Sequence, residues 1–331
     1  MPHRIAVSVM PLENRREIFS YIAAAAERLG YEAFFLPEAW AYDATVVLAE
    51  AATRTRRILL ASGVLGVWSR SAGALAMAAA SLHAVSGGRF ILGLGASTAQ
   101  LTEGLHDIPF TAPITRMRRV VTQTRALLRG ERVPLAAAPH ARPLKLNLPP
   151  APDLPIYLAS LGPQAIRLTG ELADGWLPFL YPHTCLAEGI ALLREGAARR
   201  AGADGLPAVC PSVPVAVDPD AAKARERAAW FIAFYLTSMG TLYRGSLVRQ
   251  GFGREVEAVL AANPKGQAAV VPPEADELLE QLAVFGTPDE ARARLARWHA
   301  AGAALPILLL PPNLTRDEID FMLTALRPSP P

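Results

Sequence analysis

Short apolar, β-branched runs alternate along this chain with longer stretches in which apolar residues recur every three or four positions. The first pattern predicts strands and the second helices. Residues 4–9 form the first strand candidate, and a helical stretch over 15–29 follows, stopped by Gly30. Further strands are predicted over 33–37, 57–65 and 89–95, with helices over 44–55, 73–85 and 114–128. Gly87 stops the third helix and Gly130 the fourth. Residues 154–159, 175–178, 209–217 and 304–310 supply four more strands, and 164–173, 186–200, 221–238 and 288–301 four more helices.

Eight strands, each followed by a helix, is the count of a (β/α)8 TIM barrel. A doubly wound sheet shows the same alternation, and periodicity alone does not separate the two. The count of eight, in a chain of 331 residues, favours a single barrel domain with insertions. Two stretches interrupt the rhythm. Residues 131–153 are proline-rich and separate strands four and five; residues 240–285 are expected to add helices between strands seven and eight. Long insertions on a barrel commonly cover its catalytic face, so both are expected there.

Composition narrows the class. Hydrophobic residues make up 51% of the chain and charged residues 19%, against an average charged share of about 25%. That describes a core-rich enzyme scaffold rather than a disordered or nucleic-acid-binding chain. The net charge is +3. The densest basic cluster, Arg116, Arg118 and Arg119, reads as a solvated helix face. Cys185 and Cys210 stand in no metal-ligand spacing, and so few thiols point to a reducing compartment. MPHRIAVSVMP has no apolar core of a signal peptide, and no run approaches the roughly 18–20 apolar residues of a membrane span. A cytoplasmic protein with a small-molecule substrate, no metal, no nucleic acid and no membrane partner is expected.

The stretch SGGRFILGLGAS (residues 86–97) poses the first question about chemistry. A dinucleotide fingerprint needs G-x-G-x-x-G opening a helix, with an acidic residue about 20 positions on. Here the third glycine is missing, and Glu103 and Asp107 lie too close. The stretch therefore reads as a helix stop at Gly87 and Gly88 followed by barrel strand four. Gly95 would then keep the barrel mouth open and leave Ser97 facing it.

Barrel active sites form at the C-terminal ends of the strands. Those ends read PEAWAYD (37–43), ASGVLGVWSR (61–70), LGASTAQ (94–100) with GLHD (104–107) after it, ASLGPQ (159–164) and LLLPPN (308–313). Three longer segments contain most of them: GYEAFFLPEAWAYDATVVLAEAATRTRRILLASGV, AMAAASLHAVSGGRFILGLGAS and LPIYLASLGPQAIRLTGELADGWLP. In that order, and with residues 284–310, they resemble the luciferase-like oxidoreductase family of flavin- and deazaflavin-dependent barrels. The nearest match is the branch that uses coenzyme F420, a 5-deazaflavin.

The resemblance implies an oxidoreductase moving a hydride to or from a small organic substrate of the C=C, C=N or C=O class. An FMN-dependent monooxygenase is the alternative, and a barrel that has lost its cofactor, acting as a binding protein or a non-redox enzyme, is a second. It implies that Glu38 lies against the edge of the cofactor ring, with Trp40 and Asp43 beside it, although Ala39 stands where many relatives carry a histidine. A non-proline cis peptide at Gly63–Val64 would sit behind the ring. Ser97 and Gln100 would reach its pyrimidine edge or ribityl chain, while Ser97 could equally cap the next helix. Leu161, Gly162 and Gln164 would hold the phosphate at a helix N-terminus. Glu38, Asp43 and His106 are the catalytic candidates. Trp68, Phe179, Tyr181, Tyr235 and Tyr243 could line an apolar pocket or belong to the core. Relatives commonly form homodimers through helices like the alanine-rich one here.

Overall fold

A computed structural model describes residues 3–200, 205–264 and 270–328. Residues 265–269, within the expected insertion over 240–285, lie outside the described residues. The strands are β1 (Ala6–Val9), β2 (Ala33–Leu36), β3 (Leu59–Ser62), β4 (Leu65–Gly66), β5 (Phe90–Gly95), β6 (Ile156–Ala159), β7 (Gly175–Trp176), β8 (Ala208–Val209), β9 (Ser212–Val217), β10 (Val284–Gly286) and β11 (Ile307–Leu310). Between them run α1 (Arg16–Leu29), α2 (Ala44–Arg54), α3 (Ala72–Ser86), α4 (Ala99–His106), α5 (Pro113–Leu128), α6 (Pro163–Leu172) and α7 (Leu186–Ala197). The later helices are α8 (Ala221–Ser238), α9 (Leu242–Arg249), α10 (Gly253–Ala262), α11 (Asp276–Leu282), α12 (Pro288–Ala300) and α13 (Arg316–Ala325).

The sheet closes on itself. β1 pairs in parallel with β2 on one side and β11 on the other. Pairing then runs β2–β3–β5–β6–β7–β8, and β9 returns to β11. Only Cys210 and Pro211 separate β8 from β9. Cys210 N donates to Trp176 O at 2.8 Å, and Ile307 N donates to Pro211 O at 2.8 Å. β8 and β9 are therefore two pieces of one barrel strand, and the expected eight-stranded α/β barrel is formed. Every residue of β1, β2 and β5 is buried, because helices cover one face and the barrel interior the other. The interior holds Ala6, Ala33, Phe35, Ala61, Ile91, Leu177, Cys210 and Ile307.

Helix ends follow the predicted punctuation. Gly30 and Gly87 cap α1 and α3 in the left-handed conformation, with φ of 85° and 66°, where a side chain would be strained.

Four expectations need correction. The strand expected over 57–65 breaks after Ser62, where the Gly63–Val64 peptide is cis, and resumes as β4. The strand expected over 209–217 breaks at Pro211, which has no N–H for a ladder. The insertion over 240–285, expected to be helical, ends in β10, which pairs with the last three residues of β9; three residues are too few to show a period. The proline-rich segment 131–153 does not cover the mouth. It joins α5 to β6, and a helix-to-strand connection meets the strands at their N-terminal ends, on the opposite face.

The break after Ser62 explains the glycines of SGGRFILGLGAS. Ser62 Oγ donates to Gly93 O at 2.9 Å and accepts from Gly93 N at 2.8 Å, so a buried side chain replaces the backbone ladder. A Cβ on Gly93 would lie 1.9 Å from Ser62 O, and one on Gly95 would lie 2.6 Å from Val64 Cγ2. β5 passes the bulge more closely than any side chain permits. Gly93→Ala is therefore expected to cost about 3 kcal/mol or more, at the top of the overpacking range. Gly104→Ala, in a helix and facing open space, is expected to gain roughly 0.5–1 kcal/mol. Urea unfolding of the two variants measures both.

Candidate active site

A cavity of about 840 Å³ opens at the C-terminal ends of the strands. That is the size of a pocket for a cofactor or drug-sized molecule. The ends of β2, β5, β6 and β7, the β3–β4 link, and helices α4, α6, α8 and α9 all contribute to its wall. No residue of 131–153 lines it. Among the described residues Glu38 is the one charged carboxylate in the lining, and no lysine or arginine is present.

Glu38 follows β2 and is held in place by its neighbours. The Arg70 guanidinium pairs with its carboxylate, Nη2 donating to Oε2 at 2.9 Å. Oε2 also accepts from Ala44 N at 3.0 Å. Arg70 Nη2 lies 2.8 Å from Asp43 Oδ2. Asp43 is the N-cap of α2, accepting from Thr45 N at 2.8 Å and from the Thr45 hydroxyl at 2.6 Å. Burial pushes the Asp43 carboxyl up, but the Thr45 bonds and the Arg70 charge outweigh it and hold it below the usual carboxylate range. Asp43 does not line the cavity. The two carboxylate candidates are thus placed differently: Glu38 reaches the cavity and Asp43 caps the helix beside it.

Beside Glu38, the Gly63–Val64 cis peptide follows β3, the strand next to β2, lines the cavity and lies against Phe35. Next to it, Ser97 lines the cavity at φ 62°, a conformation uncommon outside glycine. Its hydroxyl has no partner among the described residues. Ser97 is not a helix cap; that position belongs to Thr98, which accepts from Leu101 N at 3.4 Å. Gln100 lies exposed in the first turn of α4, and His106 ends that helix at the rim. Trp40 stands at the rim opposite, 48% exposed. Trp68 donates its indole N–H to Ala96 O at 2.8 Å and lies under Phe110 and the Arg116 guanidinium. Arg116 is thereby engaged, so only part of the basic cluster is a solvated face.

Leu161 and Gly162 also line the cavity, and Gly162 is the N-cap of α6. No side chain caps this helix; Pro163 has no N–H to offer, and of the first turn Ala165 also lines the cavity. A Cβ on Gly162 would meet nothing within 4 Å. Gln164 adds its backbone to this turn, and its side chain is not in the lining. The turn is anchored from behind, where Ser160 Oγ and Thr169 Oγ1 lie 2.8 Å apart and Trp176 Nε1 donates to Ser160 O at 2.9 Å.

Sequence reasoning missed Thr102. It is 1% exposed, its hydroxyl has no hydrogen-bond partner, and it lines the cavity from α4. A threonine inside a helix carries no signal of its own. Of the five candidate aromatics, Trp68, Phe179, Tyr235 and Tyr243 line the cavity. Tyr181 instead packs edge-on against Trp176, ring centroids 5.2 Å apart.

The luciferase-like monooxygenase family model matches residues 4–305. The chain belongs to that family. A Mycobacterium tuberculosis member, named as a coenzyme F420-dependent oxidoreductase, is 33% identical over 326 residues, covering 90% of this chain and 91% of its own. The 5,10-methylenetetrahydromethanopterin reductase of Methanolobus tindarius is 28% identical, covering 83% of this chain and 85% of its own. Among solved structures, the coenzyme F420-dependent tetrahydromethanopterin reductase of Methanopyrus kandleri superposes with a TM-score of 0.80 over 99% of this chain and 98% of its own. At 20% identity that likeness speaks for the luciferase-like fold alone.

Asp43→Ala is expected to destabilise the protein by about 1 kcal/mol through loss of the cap, while Asp43→Asn keeps most of it. The charge-dependent part has a definite sign. The folded carboxyl lies below its unfolded value of about 3.9, so its contribution is present above that pH and fades as pH falls through the lowered value. Thermal melts of the three proteins between neutral and acid pH test this.

Proposed function

We propose that this luciferase-like protein is a coenzyme F420-dependent oxidoreductase that moves a hydride to or from a small organic substrate. The observation that carries the reading is one cavity with the Gly63–Val64 bulge in one wall and the bare N-terminus of α6 in another. The names of the relatives point the same way. The residues present fit a deazaflavin. The first-turn amides after Gly162, with the positive end of the helix dipole, would hold its phosphate without a cationic side chain. Val64 would back the ring, and the unpartnered hydroxyl of Ser97, together with Gln100, would supply polar contacts for a ring edge and a polyol chain.

When bound, a 5-deazaflavin supplies hydride chemistry at a ring carbon and reacts poorly with oxygen. The chain's own part is to orient it and to manage a proton. Glu38, fixed by Arg70 and the Ala44 amide, presents a carboxylate to the cavity. His106, at the exposed rim, can exchange a proton with solvent at an imidazole nitrogen. Asp43 is engaged as a cap and has no place in that exchange. A barrel without a cofactor is disfavoured, because no bulky side chain fills the α6 turn. Val46 on α2 and Met77 and Val85 on α3 leave large apolar side chains in water, which supports a homodimer through this region; light scattering reads its mass.

Titration with oxidised F420, followed by its absorption and fluorescence, is expected to show saturable binding tighter than that of FMN. No spectral change would refute the reading. Gly162→Asp provides the sharper arm. An aspartate at an N-cap is compatible with the helix, and its side chain enters open space, so the melting temperature is expected to hold or rise. The same carboxylate stands where the phosphate would bind, so F420 affinity is expected to fall at least about tenfold, or about 1.4 kcal/mol.

A further inference from the structure

One wall of the cavity is formed by α8, α9 and the link between them. It is made of Phe234, Tyr235, Met239, Leu242 and Tyr243, with Phe179 from the end of β7 facing them. The rings interlock edge to face. Phe179 lies 4.7 Å from Tyr235 and 5.4 Å from Tyr243, and the two tyrosine rings are 5.5 Å apart at 85°.

An aromatic cluster of this kind is ordinarily core, but its polar atoms behave otherwise. Buried tyrosine hydroxyls usually find a partner. Elsewhere in this molecule Tyr31 donates to Leu323 O at 2.9 Å and Tyr21 to Asp320 at 2.6 Å. Tyr235 and Tyr243 have no hydrogen-bond partner among the described residues, although both line the cavity. Two neighbouring phenols of the cavity wall are thus left without a partner, in a wall whose other polar side chain is Ser238.

We propose that this wall is the substrate subsite and that the Tyr235 and Tyr243 phenols donate to one uncharged acceptor oxygen, so that the substrate is a neutral, largely apolar carbonyl compound. This rests on the oxidoreductase reading for its chemistry, though not for its binding. Burial pushes both phenols up, Tyr243 to about 12, so at neutral pH each keeps its proton and acts as a donor only. A carboxylate substrate would be desolvated in a cavity without lysine or arginine, which disfavours it. The aromatic edges select a flat or branched apolar body beside the acceptor.

Calorimetry on the full-length protein tests this with three probes of nearly one shape: acetophenone, benzoate and ethylbenzene. Acetophenone is expected to bind, and benzoate to bind at least about tenfold more weakly. Tyr235→Phe and Tyr243→Phe are each expected to weaken acetophenone by about three- to tenfold, the worth of a neutral hydrogen bond. They should leave ethylbenzene affinity, F420 affinity and melting temperature unchanged. Acetophenone failing to bind, benzoate matching it, or both Phe variants binding it as the wild type does would each overturn the inference. Loss of F420 binding with the ketone preference intact would overturn the cofactor reading and leave the subsite standing.

Discussion

The close passage of β5 past the bulge after β3 is the constraint on which the mouth of this barrel depends. Two backbones meet there with no room for a Cβ on Gly93 or Gly95. The ladder between them is replaced by the two bonds of the buried Ser62 hydroxyl. Because the bulge displaces Val64 into the barrel mouth, a peptide edge and a small apolar side chain form one wall of the cavity. Because β5 must stay thin to accommodate it, the chain leaves that strand through Ala96 and the left-handed Ser97. A backbone arranged this way is independent of rotamers, so the shape of this wall is fixed by the fold.

Charge is distributed around the mouth in a complementary way. Near β2 one guanidinium, Arg70, is shared by two carboxylates, Glu38 and Asp43, and the network also secures the start of α2. Nothing comparable stands at the α6 turn, where the positive potential comes from backbone amides. A fixed carboxylate on one side and bare amides on the other leave the remaining wall to aromatic rings and neutral hydroxyls. An anionic group entering this cavity is favoured at one end only, which would orient an asymmetric cofactor before any side chain reads its identity.

Much of the barrel was legible in the sequence because its signals are local. Gly30 and Gly87 stop helices through their own backbone conformation, and buried parallel strands show as unbroken apolar runs. The misreadings came from effects that act across the sheet. Pro211 interrupts a strand whose apolar pattern continues. β10 exists because β9 extends past the barrel rim and offers it an edge. The segment 131–153 was expected at the mouth on grounds of length, whereas the direction of the chain entering it decides the face. For the site, the Gly63–Val64 cis peptide was readable through family resemblance, as was the place of Gly162 at a helix start in the cavity wall. The engagement of Asp43 as a cap was not, since an aspartate before a helix reads equally well as a catalytic acid. Thr102 was invisible, because only tertiary packing brings it to the cavity wall.

The glycines of SGGRFILGLGAS and the glycine of ASLGPQ show how one residue type carries two physical roles. Gly93 and Gly95 are needed because something is too close: Ser62 O and the Val64 methyl groups occupy the space of a side chain. Gly162 is the opposite case, since its missing side chain leaves open cavity beside uncapped amides. A phosphate needs the second kind, with donors exposed and nothing in front of them, and is excluded by the first. Sequence spacing cannot tell crowding from openness. The distance from an ideal Cβ to its nearest neighbour can, and it separates the open turn after β6 from the crowded passage of β5.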